Sequence, residues 1–510
     1  MVKNQKNHLF ELIKSMTKSE KRQFKLYSGR FQANSESKFL TLFNLLEKMD
    51  EYDEDQILSS PDISKSQLSN LKANLYKQIL TSLRLIPQHQ TYPVKLREQL
   101  DFATILYNKG LYRQSLKVLD KTKSLAIELE EKQMMYEVIE FEKVIESQYI
   151  TRSLATRADD LAVEAKDVSV QNVLASKLSN LSLQLNSFLL RNGYVKNEKE
   201  FLLAKNYFNL HLPKYKLKDL GFREQLYLNM SRLWYSFICQ DFRGSYKHST
   251  KWVELFKEYP RMQKTHPVYF LKGQYYLLES LYYLRYYSKY KEQYEELASL
   301  EDNKQVLIND NVKALYFIYS RFAWINMMFL GAEFDKGINA ISTIQKEIDA
   351  HKGLIDAHHE MVFYYKFACL HFGVDNHKEC IHYLDKIINN KELGMREDLL
   401  CYSRILKLIC LYELGDDSLD SFIRSTYRFL IQMNDLHEVQ REIISFIRGD
   451  IYPTELHKMF KVLHSKLTAL ENHPYEKRSF LYLDIISWLE CKIEMRPIRE
   501  VIVDKAKYLK

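Results

Sequence analysis

Apolar residues recur at helical spacing along most of the chain, and the clearest example lies between residues 96 and 126. A first apolar stripe ends near Leu106, and Gly110 follows a short polar interruption. Glycine adopts without steric cost the left-handed conformation that commonly ends a helix. A second stripe follows at Tyr112, Leu116, Leu119 and Thr122, with the small Ser115 where two helices would approach closely. The pattern predicts an antiparallel helical hairpin, which needs a neighbouring copy to bury its apolar face.

Weaker copies of this pattern follow, each consisting of an apolar segment and then a polar or glycine-containing turn. The turns are marked by Phe242, Tyr290, Phe334, His377 and Ser418, and the last four markers lie 41 to 44 residues apart. Helix–turn–helix content that repeats at about this period is typical of a helical solenoid. We therefore predict an all-α fold, a right-handed solenoid of antiparallel helical hairpins with a small N-terminal helical unit.

The hairpin over 96–126 resembles a tetratricopeptide repeat, because Gly110, Tyr112, Ser115, Leu119 and Thr122 match the turn, aromatic and small positions of that repeat. The later hairpins are longer and resemble degenerate units of the same kind. The resemblance implies a concave face that is lined by the first helix of each hairpin and that binds a partner.

A second resemblance covers two short stretches, IKSMTKSEKRQFKLYSGRF near the start of the chain and FIRSTYRFL at Phe422–Leu430. Both are similar to stretches in a group of helical proteins from Bacteroidota. This resemblance implies no particular activity.

Breaks in the pattern predict four parts: an N-terminal helical unit with a basic patch over 1–92, hairpins over 93–215, long hairpin repeats over 216–448 and capping helices over 449–510. In the first part, Thr17 and Glu20 have the spacing of a capping box before a helix. We expect a long helix from Pro61 to about residue 86. In the last part we expect a turn over 449–453, a long helix over about 475–494 and a short final helix after Pro497.

Composition narrows the class of protein. The 510 residues include only 13 glycines and 9 prolines, which leaves little room for sheets or long loops. Of the residues, 46% are hydrophobic, which indicates a folded chain, and the net charge of +8 favours an acidic partner. The six cysteines contain no C-x-x-C pair, and no apolar run has the length of a signal peptide or a spanning helix. We predict a cytoplasmic protein.

Catalytic signatures are missing from the sequence. It contains no phosphate-binding G-x-x-x-x-G-K-[ST] loop, no G-x-G-x-x-G loop and no G-x-S-x-G nucleophile elbow. We therefore predict a protein that is not an enzyme and that has no cofactor.

Five thiol and imidazole residues fall close together in the sequence: Cys369, His371, His377, Cys380 and His382. Cysteine and histidine are zinc ligands, but structural zinc sites show tight pairs of ligands at regular spacing. The irregular spacing here favours helix packing, with Cys380 as a small packing residue and His371 on an interior stripe with Phe367. We predict no metal site.

A basic helix near the N-terminus is a candidate for nucleic-acid binding, since cations interleaved with aromatic residues can hold phosphates. Its cations are Lys18, Lys21, Arg22 and Lys25. Charge runs of this kind are more often a solvated helix face, with Phe24 and Tyr27 buried. The acidic run at 51–55 could also neutralise the patch.

The concave face supplies the main candidate site. Carried over from the tetratricopeptide resemblance, its exposed residues would be Tyr275, Tyr282, Arg285, Tyr286, Arg321, Tyr402 and Tyr412. Tyrosine and arginine dominate binding energy at interfaces, although each tyrosine could equally fill space between helices. The leading hypothesis is a scaffold or adaptor that binds a protein or peptide. The alternative is a regulator with nucleic-acid-binding N-terminal helices and a solenoid that senses a peptide or protein.

Overall fold

The computed structural model describes residues 8–29, 34–89, 91–148, 156–351, 353–390, 397–433, 436–449, 455–477, 479–482 and 484–508. These ranges are predominantly α-helical and contain no β-strand. Within the same ranges, no helix is both long and apolar enough to cross a membrane. The predicted all-α class is therefore confirmed.

The chain forms two compact units. The first comprises Met1–Ala126 and Val138–Arg157, and the second comprises Ile127–Glu137 and Ala158–Lys510. The finer division into four parts remains a prediction.

The first unit contains most of the first eight helices. They are α1 (His8–Ser15), α2 (Lys18–Ser28), α3 (Asn34–Lys48), α4 (Glu54–Leu58), α5 (Lys65–Arg84), α6 (Tyr92–Asn108), α7 (Tyr112–Glu128) and α8 (Lys132–Gln148), with a 3-10 turn at Pro87–His89.

Local sequence signals in this unit act as expected. The Thr17 side chain accepts a hydrogen bond from the Glu20 backbone, and Glu20 accepts one from the Thr17 backbone, so the capping box is present. Phe24 is fully buried against Phe43. Ser115 is also fully buried, and its hydroxyl donates to the Ala103 carbonyl at 2.8 Å. A small residue thus stands where α7 approaches α6, as the sequence predicts.

The second unit contains the remaining helices, which follow one another through short turns. They are α9 (Arg157–Asn192), α10 (Glu198–His211), α11 (Phe222–Ile238), α12 (Phe242–Glu258), α13 (Met262–Thr265), α14 (Pro267–Tyr283), α15 (Tyr287–Ala298), α16 (Asp310–Leu330), α17 (Phe334–Ala350), α18 (Ala357–Phe372), α19 (His377–Ile388), α20 (Glu397–Leu414), α21 (Leu419–Gln432), α22 (Glu438–Arg448), α23 (Leu456–Glu471), α24 (Ser479–Tyr482), α25 (Ile485–Glu494) and α26 (Ile498–Ala506), with a 3-10 turn at Leu217–Asp219.

One turn geometry recurs through the chain. In each of six turns between helices, one residue has a positive φ. The backbone N–H groups of this residue and of the next residue donate to carbonyls at the end of the preceding helix, as Asp375 and Asn376 do. The positive-φ residues are Gly110, Gln240, Arg285, Ala332, Asp375 and Gly415. Only two of them are glycine, and the nearby Gly331 and Gly373 have right-handed backbones. The sequence therefore locates the turns, but in four of these six turns the left-handed residue is not a glycine.

Helix contacts in the second unit follow a regular order. The helices α11 and α12 contact each other, as do α14 and α15, α16 and α17, α18 and α19, and α20 and α21. In addition, α14, α16, α18 and α20 form a row in which each contacts the next. We call α14, α16, α18 and α20 the inner row.

Two predicted helix boundaries need correction. The helix expected from Pro61 begins at Lys65, and the short α4, which Asp53 caps through its side chain, starts within the acidic run. The long helix expected over 475–494 is broken, because Asp484 caps a new helix by accepting a hydrogen bond from the Ser487 backbone. The turn expected at 449–453 lies almost entirely outside the described residues.

Candidate functional site

The inner row lines a cavity of about 1060 Å³ in the second unit. Each helix of the row contributes one stripe of side chains at helical spacing, and α11 contributes Trp234 and Phe237. Because side chains three and four positions apart share a helix face, these stripes follow directly from the helical period. The cavity is therefore built by the first helices of successive helix pairs.

The α14 stripe shows how sequence becomes surface. Lys272, Tyr275, Glu279, Tyr282 and Tyr283 all line the cavity. The opposite side of α14 is packed closely enough that a Cβ on Gly273 would lie 2.9 Å from the Trp252 ring. Packing on that side fixes the rotation of the helix and so presents the tyrosines to the cavity.

A polar relay crosses the middle of the cavity wall. The Lys366 ammonium on α18 donates to Asn326 Oδ1 on α16, and Asn326 Nδ2 donates to Glu279 Oε1 on α14 at 2.9 Å. Asn326 is buried, and Lys366 also lies over the Phe322 ring at 5.5 Å. Burial lowers the pKa of Lys366, although Glu279 partly offsets this. The relay joins three helices of the inner row.

Aromatic rings surround the relay. Tyr275 stacks on Tyr319 with ring centroids 4.5 Å apart, and His359 stacks on Phe322 at 6.2 Å. Burial raises the pKa of Tyr275, Tyr282 and Tyr319 above the ordinary value for tyrosine. These phenols are therefore neutral at physiological pH, and each can donate a hydrogen bond.

The C-terminal residues of the unit complete the wall. Ile498, Ile502 and Lys505 of α26 line the same cavity. Gln240, at the end of α11, donates to the carbonyls of Val195 and Tyr475 at 3.1 and 3.2 Å. Contacts between residues more than 200 positions apart thus bring the C-terminal part of the unit back to α11.

Basic side chains outnumber acidic ones in this wall. The basic residues are Arg191, Lys196, Lys272, Arg285, Lys366 and Lys505, and the acidic residues are Glu200, Glu279 and Asp484. All three acids already accept hydrogen bonds from the protein, two of them from backbone N–H groups at helix starts. Among the described residues, the side chains of Lys272 and Arg285 have no hydrogen-bond or ion-pair partner. Burial alone lowers the pKa of Lys272, so an anion in the cavity would relieve this cost.

The structure separates the seven predicted binding residues into two groups. Tyr275, Tyr282, Arg285 and Tyr402 line the cavity. The other three are Tyr286, Arg321 and Tyr412.

These three side chains contact other parts of the protein instead. Arg321 makes a two-pronged ion pair with Glu347, at 2.7 and 2.8 Å. Tyr286 packs against Tyr246, and Tyr412 packs against Phe446. Four of the seven residues therefore line the cavity, and the other three pack elsewhere.

Part of the packing predicted for the thiol and imidazole residues is present in the structure. Cys380 is fully buried, and His371 and Phe367 are both buried. No three metal-ligating side chains come together among the described residues. The structure instead places Cys410, which the sequence pattern missed, with its Sγ 3.5 Å from Cys380 Sγ.

Glu47 partly neutralises the basic residues of α2. Lys18, Lys21, Arg22 and Lys25 line one shallow depression of about 350 Å³ together with Glu47. Glu47 pairs with Lys25 at 2.7 Å and with Lys21 at 3.8 Å. In the acidic run, Glu54 pairs with Lys72 instead.

Sequence reasoning missed Lys366 and Asn326, the centre of the relay. Each is a polar residue within an otherwise apolar helical segment of the sequence. That polar character was the signal from which they could have been found.

Comparison of the chain with known protein families, with curated proteins and with solved structures found no match.

Proposed function

We propose that the second unit is a right-handed solenoid of antiparallel helical hairpins that binds a short acidic peptide segment in its inner cavity and catalyses no reaction. The observation that carries this proposal is the cavity of about 1060 Å³ that the inner row lines. The recurring turn geometry and the ordered helix contacts support the solenoid.

A peptide segment fits this site better than a folded protein surface does. Protein–protein interfaces bury roughly 800 Å² on each partner and need an open face. Here Ile498 and Ile502 of α26 line the cavity together with the inner row, so α26 occupies part of the wall. A single chain segment is narrow enough to enter such a cavity, whose volume lies near the upper end for ligand sites.

The chemistry of the wall favours peptide groups with negative charge. Tyrosine offers a ring face to apolar side chains and a hydroxyl to backbone carbonyls. Lys272 and Arg285 offer unpaired cations to an acidic side chain, and a charge-assisted hydrogen bond is worth about 1.5–3 kcal/mol.

The test uses two synthetic hexapeptide libraries and native mass spectrometry. Each peptide is capped at both ends and contains two aromatic residues. Peptides of the first library also contain one glutamate, which is replaced by glutamine at the same position in the second library. We expect the full-length chain to retain glutamate peptides at least tenfold more strongly. Lys272→Met should remove most of this preference, whereas Lys264→Met, an exposed lysine on α13 outside the cavity, should keep it.

Tyrosine variants locate the bound peptide. Tyr282→Ala should weaken binding of the glutamate library, and Tyr286→Ala, four positions on and outside the cavity, should not. Equal binding by the two tyrosine variants, or failure of the wild-type chain to retain either library, would refute peptide binding in this cavity.

A second candidate is the regulator whose N-terminal helices bind nucleic acid. The observation in its favour is that four basic side chains of α2 line one depression. It predicts salt-dependent binding to a duplex DNA or RNA oligonucleotide that weakens in Lys21→Ala/Arg22→Ala. Lys65→Ala/Lys77→Ala, two exposed lysines of α5 in the same unit, provides the matched control. Equal binding by the two double variants would exclude α2 as the nucleic-acid site.

A further inference from the structure

Three consecutive helices each carry one cysteine in the same region of the second unit, and two of these cysteines form a close pair. Cys369 lies on α18, Cys380 on α19 and Cys410 on α20. The Sγ atoms of Cys380 and Cys410 are 3.5 Å apart, and both residues are fully buried. A disulfide requires about 2.05 Å between the sulfurs, so a movement of roughly 1.5 Å would join them.

An imidazole stands next to this pair. His377 begins α19, and its interaction with Cys410 raises the pKa of His377 despite burial, which acts in the opposite direction. Burial disfavours the Cys410 thiolate, but the interactions of Cys410 with Cys380 and His377 outweigh burial and lower the pKa of Cys410 to about 7. Burial raises the pKa of Cys380 well above its ordinary value. One thiol of the pair is therefore a nucleophile and the other is its neutral neighbour.

The charged groups around the pair are few. Asp375 faces His377, with its Oδ1 3.9 Å from Nε2. Glu413 also acts on His377 and on Cys410, but it is held by the Trp488 indole N–H and the Lys492 ammonium. His377 is thus the basic side chain that acts on Cys410.

Cys369 relates the cysteine pair to the cavity, because it lines the cavity and interacts electrostatically with Cys410. Burial raises the pKa of the Cys369 thiol to about 12, so Cys369 itself is a poor nucleophile.

We propose that Cys380 and Cys410 form a reversible disulfide when a hydroperoxide enters the cavity, with Cys410 as the attacking thiol, Cys380 as the resolving thiol and His377 as a positioning residue. This modification site is independent of the peptide that the cavity binds.

The reaction balances in two steps. The Cys410 thiolate attacks one peroxide oxygen, the O–O bond breaks, and Cys410 becomes a sulfenic acid while hydroxide leaves and takes up a proton as water. The Cys380 thiol then attacks the Cys410 sulfur, the S–O bond breaks, and a second water leaves as the S–S bond forms. The two thiols lose two electrons, and the peroxide gains them.

The test treats the full-length chain with hydrogen peroxide at increasing concentration. The chain is then unfolded in a thiol-blocking reagent and mapped by mass spectrometry without reduction. We expect the Cys380–Cys410 disulfide to be the first oxidation product. Cys239 provides the control, because it is more exposed, yet burial raises its pKa to about 11. Oxidation of Cys239 before the pair, or a disulfide between other cysteines, would overturn the proposal.

Two variants separate the roles within the site. In Cys380→Ala, Cys410 should stop at the sulfenic acid, which dimedone labels after unfolding; an unlabelled Cys410 would exclude it as the attacking thiol. In His377→Gln, the rate of disulfide formation at pH 7 should fall about tenfold, and its rise with pH should move to higher pH. An unchanged pH profile would exclude His377 from the site, while a wild-type map without the disulfide would overturn the proposal without any variant.

Discussion

The buried ion pair between Lys132 and Glu224 gives the sharpest test of how the second unit is held together. The two charged groups are 2.8 Å apart, Glu224 is fully buried, and Lys132 is 7% exposed. Glu130 lies 3.5 Å from the same ammonium. A Cβ on Gly221 would lie 2.6 Å from that ammonium, so glycine is what leaves room for the charges.

We expect Lys132→Met to destabilise the second unit by about 3–5 kcal/mol. The substitution leaves the Glu224 carboxylate buried without its cation, and removing one partner of a buried pair costs about this much. The other oxygen of Glu224 has no hydrogen-bond partner among the described residues, so no second group compensates. Lys132→Met/Glu224→Leu should recover most of the loss, because an apolar pair of similar volume is often as stable as a buried ion pair.

Tryptophan fluorescence during urea unfolding reports this change directly, since all four tryptophans lie in the second unit. The control is Lys257→Met, which breaks an ion pair of similar length, 3.0 Å to Glu296, whose side chains are 58% and 41% exposed. Exposed pairs contribute at most about 1 kcal/mol. If Lys132→Met cost no more than Lys257→Met, burial would not be the reason for the effect and the reasoning would be wrong.

Three further substitutions test local features of the same unit. Burial lowers the pKa of His266 from 6.5 to about 4, so the unfolded chain binds the extra proton below pH 6.5 and stability is lost as pH falls towards 4. His266→Phe keeps the stacking on Phe222. Between pH 7 and pH 4, we expect the free energy of unfolding of this variant, measured with urea, to fall by about 3 kcal/mol less than that of wild type. Equal decreases in the two proteins would contradict this. Ala332 has φ +54, and Ala332→Gly should stabilise the unit by about 1 kcal/mol in the same assay, whereas a loss would show that the turn is not strained. The Tyr290 hydroxyl donates to the Ala323 carbonyl at 2.8 Å in the core, and Tyr290→Phe should cost about 1 kcal/mol, measured as the shift in urea midpoint; no shift would mean that the bond adds nothing.

The sequence by itself determined the helical class, the places where helices turn and several caps. The Thr17–Glu20 capping box and the buried Ser115 depend on residues within a few positions or on one neighbouring helix. Such signals act over one or two helical turns, so the spacing of residue types is enough to predict them. The break at Asp484 was missed, although it is local, because the apolar pattern continues across it.

Tertiary structure decided which side chains share a site. The spacing placed Tyr275 and Tyr282 on one stripe, but it could not show that Arg321 would be paired with Glu347 outside the cavity. It also could not bring Cys410 to Cys380, because the two lie on different helices whose relative rotation is fixed by packing.

The longest contacts show the limit most clearly. Lys132 and Glu224 are 92 positions apart, and Gln240 and Tyr475 are 235 apart. The return of the C-terminal residues to α11 depends on how all the helices between them pack. No local pattern of residues contains that information, so the sequence predicts the stripes that line the cavity and only the tertiary structure decides the cavity itself.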